Sequence, residues 1–139
     1  MADRAQGVGM SPLLTAHKHY GSLLLVLILA VIVVALTKGP KTVLQRIVTV
    51  LVDINLVVGI IAIFQVGSRN VSWLHPIFAL GAVGLLHASA KSEDQAKVVR
   101  CFSLALVLLV AAWSVNAAWG PEFFKTTWLI KSAPAVIAK

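Results

Sequence analysis

Charged side chains are scarce in this sequence. Asp, Glu, Lys and Arg together make up 12% of the 139 residues, whereas hydrophobic residues make up 59%, and the mean hydropathy is +0.92. A soluble domain usually carries about 25% charged and about 45–50% apolar residues. A chain of this length cannot bury so much apolar surface in a water-soluble core. The composition therefore excludes a soluble enzyme, a soluble DNA-binding domain and a disordered tail, and it predicts a small integral membrane protein.

Cysteine and catalytic motifs are also nearly missing. The only cysteine, Cys101, excludes an internal disulfide, a CxxC pair, a cysteine-rich metal site and the CxxCH attachment of covalent haem. The sequence contains no HExxH motif, nucleophile elbow or Walker loop, so nothing indicates hydrolase or nucleotide chemistry. It shows no inverted repeat of the transporter kind. Whether the chain has an enzymatic activity of its own stays open.

Acidic residues are outnumbered: five Asp and Glu stand against twelve Lys and Arg, for a net charge of +7. The cations are spread over predicted loops and termini and form no basic helix face with interleaved aromatics. We therefore expect no nucleic-acid partner. The charges are typical of topology signals that also attract anionic lipid head groups.

Long apolar runs are what the sequence has in abundance. Four of them approach or exceed the roughly 20 residues that a spanning helix needs. The predicted spans are about 14–36, 43–66, 71–90 and 98–119. We expect one all-α membrane domain over residues 1–139, a four-helix bundle with both termini on the same, outer side.

Short polar segments separate these spans. Lys38-Gly39-Pro40-Lys41 ends the first span, because Gly and Pro stop a helix, and KSEDQAK is a short polar turn between the third and fourth spans. Residues 121–139 form a tail in which aromatic and apolar residues are interspersed with lysines. This pattern favours a short interfacial helix, with docking on a partner as the alternative.

Cations near the span ends predict the orientation. Six lie in or beside the two short loops: Lys38, Lys41, Arg46, Lys91, Lys97 and Arg100. About three lie close to the opposite ends, and positive charge is retained on the cytoplasmic side. Aromatic residues fall near the other boundary, as an interfacial belt does: Tyr20, Trp73, Trp113, Trp119 and Trp128. We expect a multi-pass protein of a bacterial inner membrane, with both loops in the cytoplasm.

All four histidines lie in or at the edge of predicted spans. His17 and His19 open the first span and His75 opens the third. Because these spans run in the same direction, their first turns are expected at one depth. Two imidazoles that face each other across a bundle are what a b-type haem needs. His17 and His19 are about 200° apart on a helix, so only one of them points inward, and the sequence leaves open which.

The helix face that carries His75 has two interpretations. Small Ala79 and Ala82 follow His75 on it, with Leu86 and Ser89 beyond. Small residues leave room for a flat macrocycle, or they let helices approach closely. His87, about 18 Å further along, is interpreted as an interfacial residue or as a supporting ligand.

Asp53 is the other polar residue at membrane depth, near the middle of the second span. A carboxylate there is costly, so we expect it to face the bundle interior. Three roles stay open: orienting a ligating histidine, carrying protons, or fixing helix packing.

Three stretches resemble small bacterial four-helix membrane proteins described as cytochrome b-like. They are AHKHYGSLLLVLIL, DINLVVG and WLHPIFALGAVGLLHASA, and the resemblance covers about residues 14–119. It implies a four-helix bundle and haem b ligation by His17 or His19 together with His75. One departure is that Asp53 stands where some members have a histidine, which removes a ligand on the second helix.

Three functional hypotheses follow. The first is a membrane-bound haem b electron-transfer protein or redox subunit, with a chlorophyll-type pigment as the alternative to haem. The second is a cofactor-free accessory subunit of a larger respiratory or photosynthetic complex. The third is conduction of protons or small solutes through Asp53. Besides the lipid bilayer, the expected partner is another membrane protein or further copies of the chain.

Overall fold

The described residues of the computed structural model are 12–66 and 72–115. Over these ranges the chain is all-helical, with α1 (Pro12–Lys38), α2 (Thr42–Val66), α3 (Leu74–Ser89) and α4 (Gln95–Val115). Three helices are long and apolar enough to cross a membrane: α1, α2 over Thr42–Phe64, and α4. The predicted tail at 121–139, which includes Trp128, lies outside the described residues, and so does Trp119.

The third helix is shorter than the predicted span 71–90. It begins at Leu74 and contains 16 residues. At 1.5 Å per residue this is about 24 Å, less than the roughly 30 Å of a hydrocarbon core. Pro76 falls in the first turn of α3, where proline is tolerated. The described part of α3 is therefore apolar but too short to cross a bilayer by itself.

The fourth helix begins three residues before the predicted span 98–119. The Asp94 carboxylate caps it, since Oδ1 accepts from the backbone N–H groups of Ala96 at 2.9 Å and Lys97 at 3.2 Å. An N-cap of this kind satisfies N–H groups that have no partner within the helix. The stretch KSEDQAK is thus a turn only as far as Asp94, and its last three residues begin α4.

Gly39 ends α1 as predicted. It has a φ of +76°, in the left-handed region that favours glycine at the end of a helix. Pro40 follows directly, and α2 begins at Thr42. The Gly-Pro pair therefore reverses the chain within a few residues.

The helices pack around a core centred on Phe102. α3 packs most extensively against α4, α1 packs against both α2 and α4, and the α2–α3 interface is the least extensive. The buried core residues are Leu24, Ile28, Val31, Ile32, Ala35, Val48, Val52, Ala82, Leu86, Val98, Phe102 and Ala105. On α1 they recur every three or four residues, so one stripe faces inward. Large apolar side chains cover the outside, up to 84% exposure at Phe64, which suits a lipid-facing surface.

Two glutamines bring the 39–41 and 90–94 connections to one end of the molecule, here called the loop end. Gln95 Nε2 donates to the Ala35 carbonyl at 2.9 Å. Gln45 is fully buried. In the amide orientation that satisfies its neighbours, it donates to the carbonyls of Ser89 at 3.1 Å and Ser92 at 3.2 Å. The first turns of α1 and α3 lie at the other end, here called the histidine end.

Candidate functional site

His17 and His75 meet at the histidine end. Their ring centroids are 6.1 Å apart and their planes are inclined by 74°. The expectation that α1 and α3 bring their first turns to one depth is thus confirmed. His17 is half-buried whereas His19 is exposed, so the structure decides what the sequence left open: His17 is the histidine of α1 that points inward.

The His17 ring packs directly against the backbone of α2. A Cβ atom added at Gly59 would lie 2.7 Å from His17 Cε1 and 3.2 Å from Nε2, a separation that real side chains essentially never show. Asn55 lies one turn before Gly59 and interacts with His17. Only glycine therefore fits at position 59 while His17 holds this place.

Two polar atoms beside this contact have no hydrogen-bond partner within the described residues. They are His17 Nδ1 and Asn55 Oδ1, both fully buried. Leaving such groups unsatisfied costs about 1–3 kcal/mol each, and unsatisfied groups in folded proteins are uncommon.

The fourth helix orients His75. His75 Nδ1 lies 2.7 Å from the carbonyl oxygen of Ala112, and a carbonyl only accepts, so Nδ1–H donates. In the neutral imidazole the proton is then on Nδ1 and the lone pair on Nε2. A backbone carbonyl in this position is the usual partner of a metal-binding histidine.

The face of α3 beyond His75 is filled by packing. Ala82, Leu86 and Ser89 are fully buried, and Ala82 and Leu86 belong to the same core cluster as Phe102. Of the two interpretations of the small residues, close helix approach therefore holds for Ala82. Ala79, half-buried, is the small residue that remains next to His75.

Asp53 is placed against His87 and not against the candidate ligands. His87 Nε2 lies 3.0 and 3.1 Å from the two carboxylate oxygens of Asp53. The pair joins α2 to α3, with side chains 35% exposed at Asp53 and 56% exposed at His87. The carboxylate is half-buried at the α2–α3 interface, where it contacts His87.

Neither the His17–His75 pair nor the Asp53–His87 pair forms part of a larger ligand cluster within the described residues. In residues 12–66 and 72–115, no group of three or more His, Cys, Asp or Glu side chains is arranged to hold a metal ion. A metal bound only by protein ligands usually needs three or four of them.

Sequence reasoning found the histidines but missed three parts of their surroundings. Asn55 and Gly59 both stand in DINLVVG, next to Asp53. Because these two residues are four positions apart, they lie on one face of the second helix, and this spacing was the signal in the sequence that they act together. The carbonyl of Ala112 carries no signal in the sequence, because any residue supplies a carbonyl.

The chain matches no family model, no curated protein and no solved structure.

Proposed function

We propose that this chain is a membrane-bound haem b protein that passes electrons, and that His17 and His75 are the residues that would hold the haem. The observation that carries the proposal is the approach of these two imidazoles at the histidine end. His75 is oriented by Ala112 so that Nε2 is free to bind iron. His17 is held against Gly59 by a contact that admits no side chain.

The two imidazoles are close neighbours, with ring centroids 6.1 Å apart and planes inclined by 74°. A metal ion held by both would need one nitrogen of each ring to be directed toward it. The His17 nitrogens lie against α2, 3.2 and 3.3 Å from a Cβ added at Gly59, so the His17 ring would have to turn to bind.

Haem, when bound, supplies one-electron redox chemistry. The chain's own contribution is the ligand pair and its orientation. The hydrogen bond from His75 to Ala112 would make that imidazole a stronger electron donor to a bound metal. The apolar core that starts at Ala82 excludes water on the side toward the loop end.

The proposal places the chain in a bacterial inner membrane as a four-helix bundle, in which α1, α2 and α4 are long enough to span. Six cations support an orientation with the loop end in the cytoplasm and both termini outside. They are Lys38, Lys41, Arg46, Lys91, Lys97 and Arg100. The glutamine contacts that join both connections at one end of the molecule support the same orientation. The histidine end then faces outward, where a partner on that side of the membrane would exchange electrons.

The test is an oxidised and a reduced absorption spectrum of the full chain purified from haem-replete cells. We expect one haem b per chain in the wild type and loss of the reduced-minus-oxidised band in His17→Ala and His75→Ala. His19→Ala and His87→Ala are the matched controls and should keep it. An absorption spectrum of chlorophyll type would show that another pigment binds in place of haem at the same histidines. A colourless wild-type preparation without iron or pigment would contradict the proposal.

A cofactor-free accessory subunit of a larger respiratory or photosynthetic complex is the second proposal. The packing of Ala82 and Leu86 against Phe102 favours it, since the face of α3 beyond His75 is filled by protein. In this case His17 and His75 hold helices together and no pigment copurifies. His75→Ala would then weaken the fold and assembly without changing any visible spectrum.

A further inference from the structure

A cavity opens at the loop end, far from the histidine pair. Its volume is about 450 Å³, and it is lined by His87, Ala88, Ala90, Lys91, Ser92 and Lys97. The twelve residues from His75 to His87 correspond to about 18 Å along α3. The cavity is therefore separate from the proposed haem site, and what it binds does not depend on haem.

Three basic side chains line this cavity. Within the described residues the ion pair that forms is His87 with Asp53, so the ammonium groups of Lys91 and Lys97 are left without one. Both lysines are exposed and lie on opposite sides of the α3–α4 turn. The cavity thus presents the positive charges of Lys91 and Lys97, with the imidazole of His87 beside them.

The hydroxyl of Ser92 adds a neutral donor. Its Oγ accepts from the backbone N–H of Asp94 at 3.2 Å, which leaves the hydroxyl proton to be donated. The Ser92 carbonyl accepts from Gln45 and does not face the cavity as a free acceptor. Donors therefore outnumber acceptors around this opening.

The carboxylates of Asp53 and Asp94 accept hydrogen bonds from other groups, and the carboxylate of Glu93 is outnumbered by two lysines. Asp94 Oδ1 accepts from two backbone N–H groups of α4, and both oxygens of Asp53 contact His87. Glu93 is exposed in the same turn, where its single charge stands against those of Lys91 and Lys97. The balance of charge at the cavity is positive.

We propose that this cavity binds a phosphate group, of the kind carried by the head group of an anionic phospholipid in the adjoining leaflet. Basic pockets at the cytoplasmic ends of spanning helices suit such head groups. The ammonium groups supply charge, the Ser92 hydroxyl supplies a directed hydrogen bond, and the exposed apolar side chains of the neighbouring helices offer a path for acyl chains.

The experiment measures lipid binding to the full chain in detergent at fixed ionic strength. Phosphatidylglycerol, phosphatidylcholine and inorganic phosphate are titrated separately, and native mass spectrometry counts the lipids retained per chain. We compare the wild type with the double variant Lys91→Gln/Lys97→Gln. The matched control is Lys38→Gln/Lys41→Gln, which removes the same charge from the other connection at the same end.

We expect one phosphatidylglycerol retained in preference to phosphatidylcholine. At about 1 kcal/mol per lysine near an anionic lipid, the double variant should bind about 30-fold more weakly. The control should stay within about twofold, and Lys91→Arg/Lys97→Arg should keep binding, which shows that a loss is not misfolding. If inorganic phosphate binds with an affinity similar to that of phosphatidylglycerol, and the double glutamine variant loses both, free phosphate is identified as the ligand of the same site. Equal loss in both glutamine variants, or equal retention of the two lipids, would overturn the proposal.

Discussion

Gly59 determines where His17 lies. The distance of 2.7 Å between a hypothetical Cβ at position 59 and His17 Cε1 means that any other residue must displace the ring. The ring in turn lies 6.1 Å from His75, so its displacement changes the ligand geometry directly. A side chain at position 59 would therefore require the His17 ring to move relative to His75.

Gly59→Ala should separate His17 from His75. Overpacking of this kind typically costs about 1–3 kcal/mol, and we expect loss of the haem band or a shift of its reduction potential. Gly84→Ala is the matched control, because a Cβ there meets nothing within 4 Å and alanine favours a helix by about 0.5–1 kcal/mol. Spectra and thermal unfolding of both variants give the comparison. An unchanged spectrum in Gly59→Ala would show that His17 does not bind the cofactor.

The end of α3 depends on a side chain from α2. Gln45 is completely buried and donates to the carbonyl of Ser89, the last residue of α3, and to the carbonyl of Ser92 in the turn that follows. The Ser89 carbonyl also accepts from the Ser92 backbone N–H at 2.9 Å, so Gln45 is its second donor. Thr49, one turn further along α2, donates to the Gln45 carbonyl at 2.8 Å. A polar contact thus fixes where the short α3 ends relative to α2.

Gln45→Leu keeps the side-chain volume but removes these donors. We expect it to lower the free energy of unfolding by about 1–3 kcal/mol, the cost of unsatisfied buried groups. Gln95→Leu, on an exposed residue that donates to Ala35, should cost about 1 kcal/mol or less. Denaturant titration of both variants in mixed micelles measures the difference. Equal costs would mean that burial of the Gln45 amide does not matter.

The α2–α3 interface is the least extensive of the four, and the Asp53–His87 pair lies on it. Interhelical hydrogen bonds in membranes couple by about 0.6 kcal/mol on average and up to about 1.7. We expect a coupling energy in this range from a double-mutant cycle of Asp53→Asn and His87→Gln, measured by unfolding in micelles. A coupling of zero would leave the pair without a structural role.

Within residues 12–66 and 72–115, six cations lie in or near the loop end and the candidate ligands lie at the other end. The 39–41 and 90–94 connections are adjacent there, because Gln45 and Gln95 bridge between them. The positive-inside rule then assigns both connections to the same side of the membrane. This arrangement separates the proposed redox site from the proposed phosphate site by most of the length of α3.

In a chain carrying Cys101→Ser, the single cysteine introduced by Lys41→Cys or by Glu93→Cys should resist a membrane-impermeant thiol reagent in intact cells. Both positions are exposed, and neither requires the positive φ of Gly39. Pro12→Cys, exposed at the histidine end, is the control that should react. Labelling of both loop positions from outside, with no reaction at Pro12→Cys, would reverse the orientation.

The sequence by itself determined the all-helical character of the described residues, three helices able to cross a membrane, and the end of α1 at Gly39-Pro40. These follow from local rules: apolar run length, and the conformations that Gly and Pro allow. The start of α4 was also encoded locally, in the cap at Asp94, but a search for apolar runs passes over a polar N-cap.

Only the tertiary structure decided between His17 and His19, brought Asn55 and Gly59 to the site, and gave Asp53 its partner His87. Each of these depends on the rotation and tilt of one helix relative to another. In an apolar environment a helix with nonpolar residues on all sides has little amphipathic signal to fix that rotation. Close packing at single positions contributes to it instead, as at Gly59, where an added Cβ would lie 2.7 Å from His17 Cε1 and would require a shift.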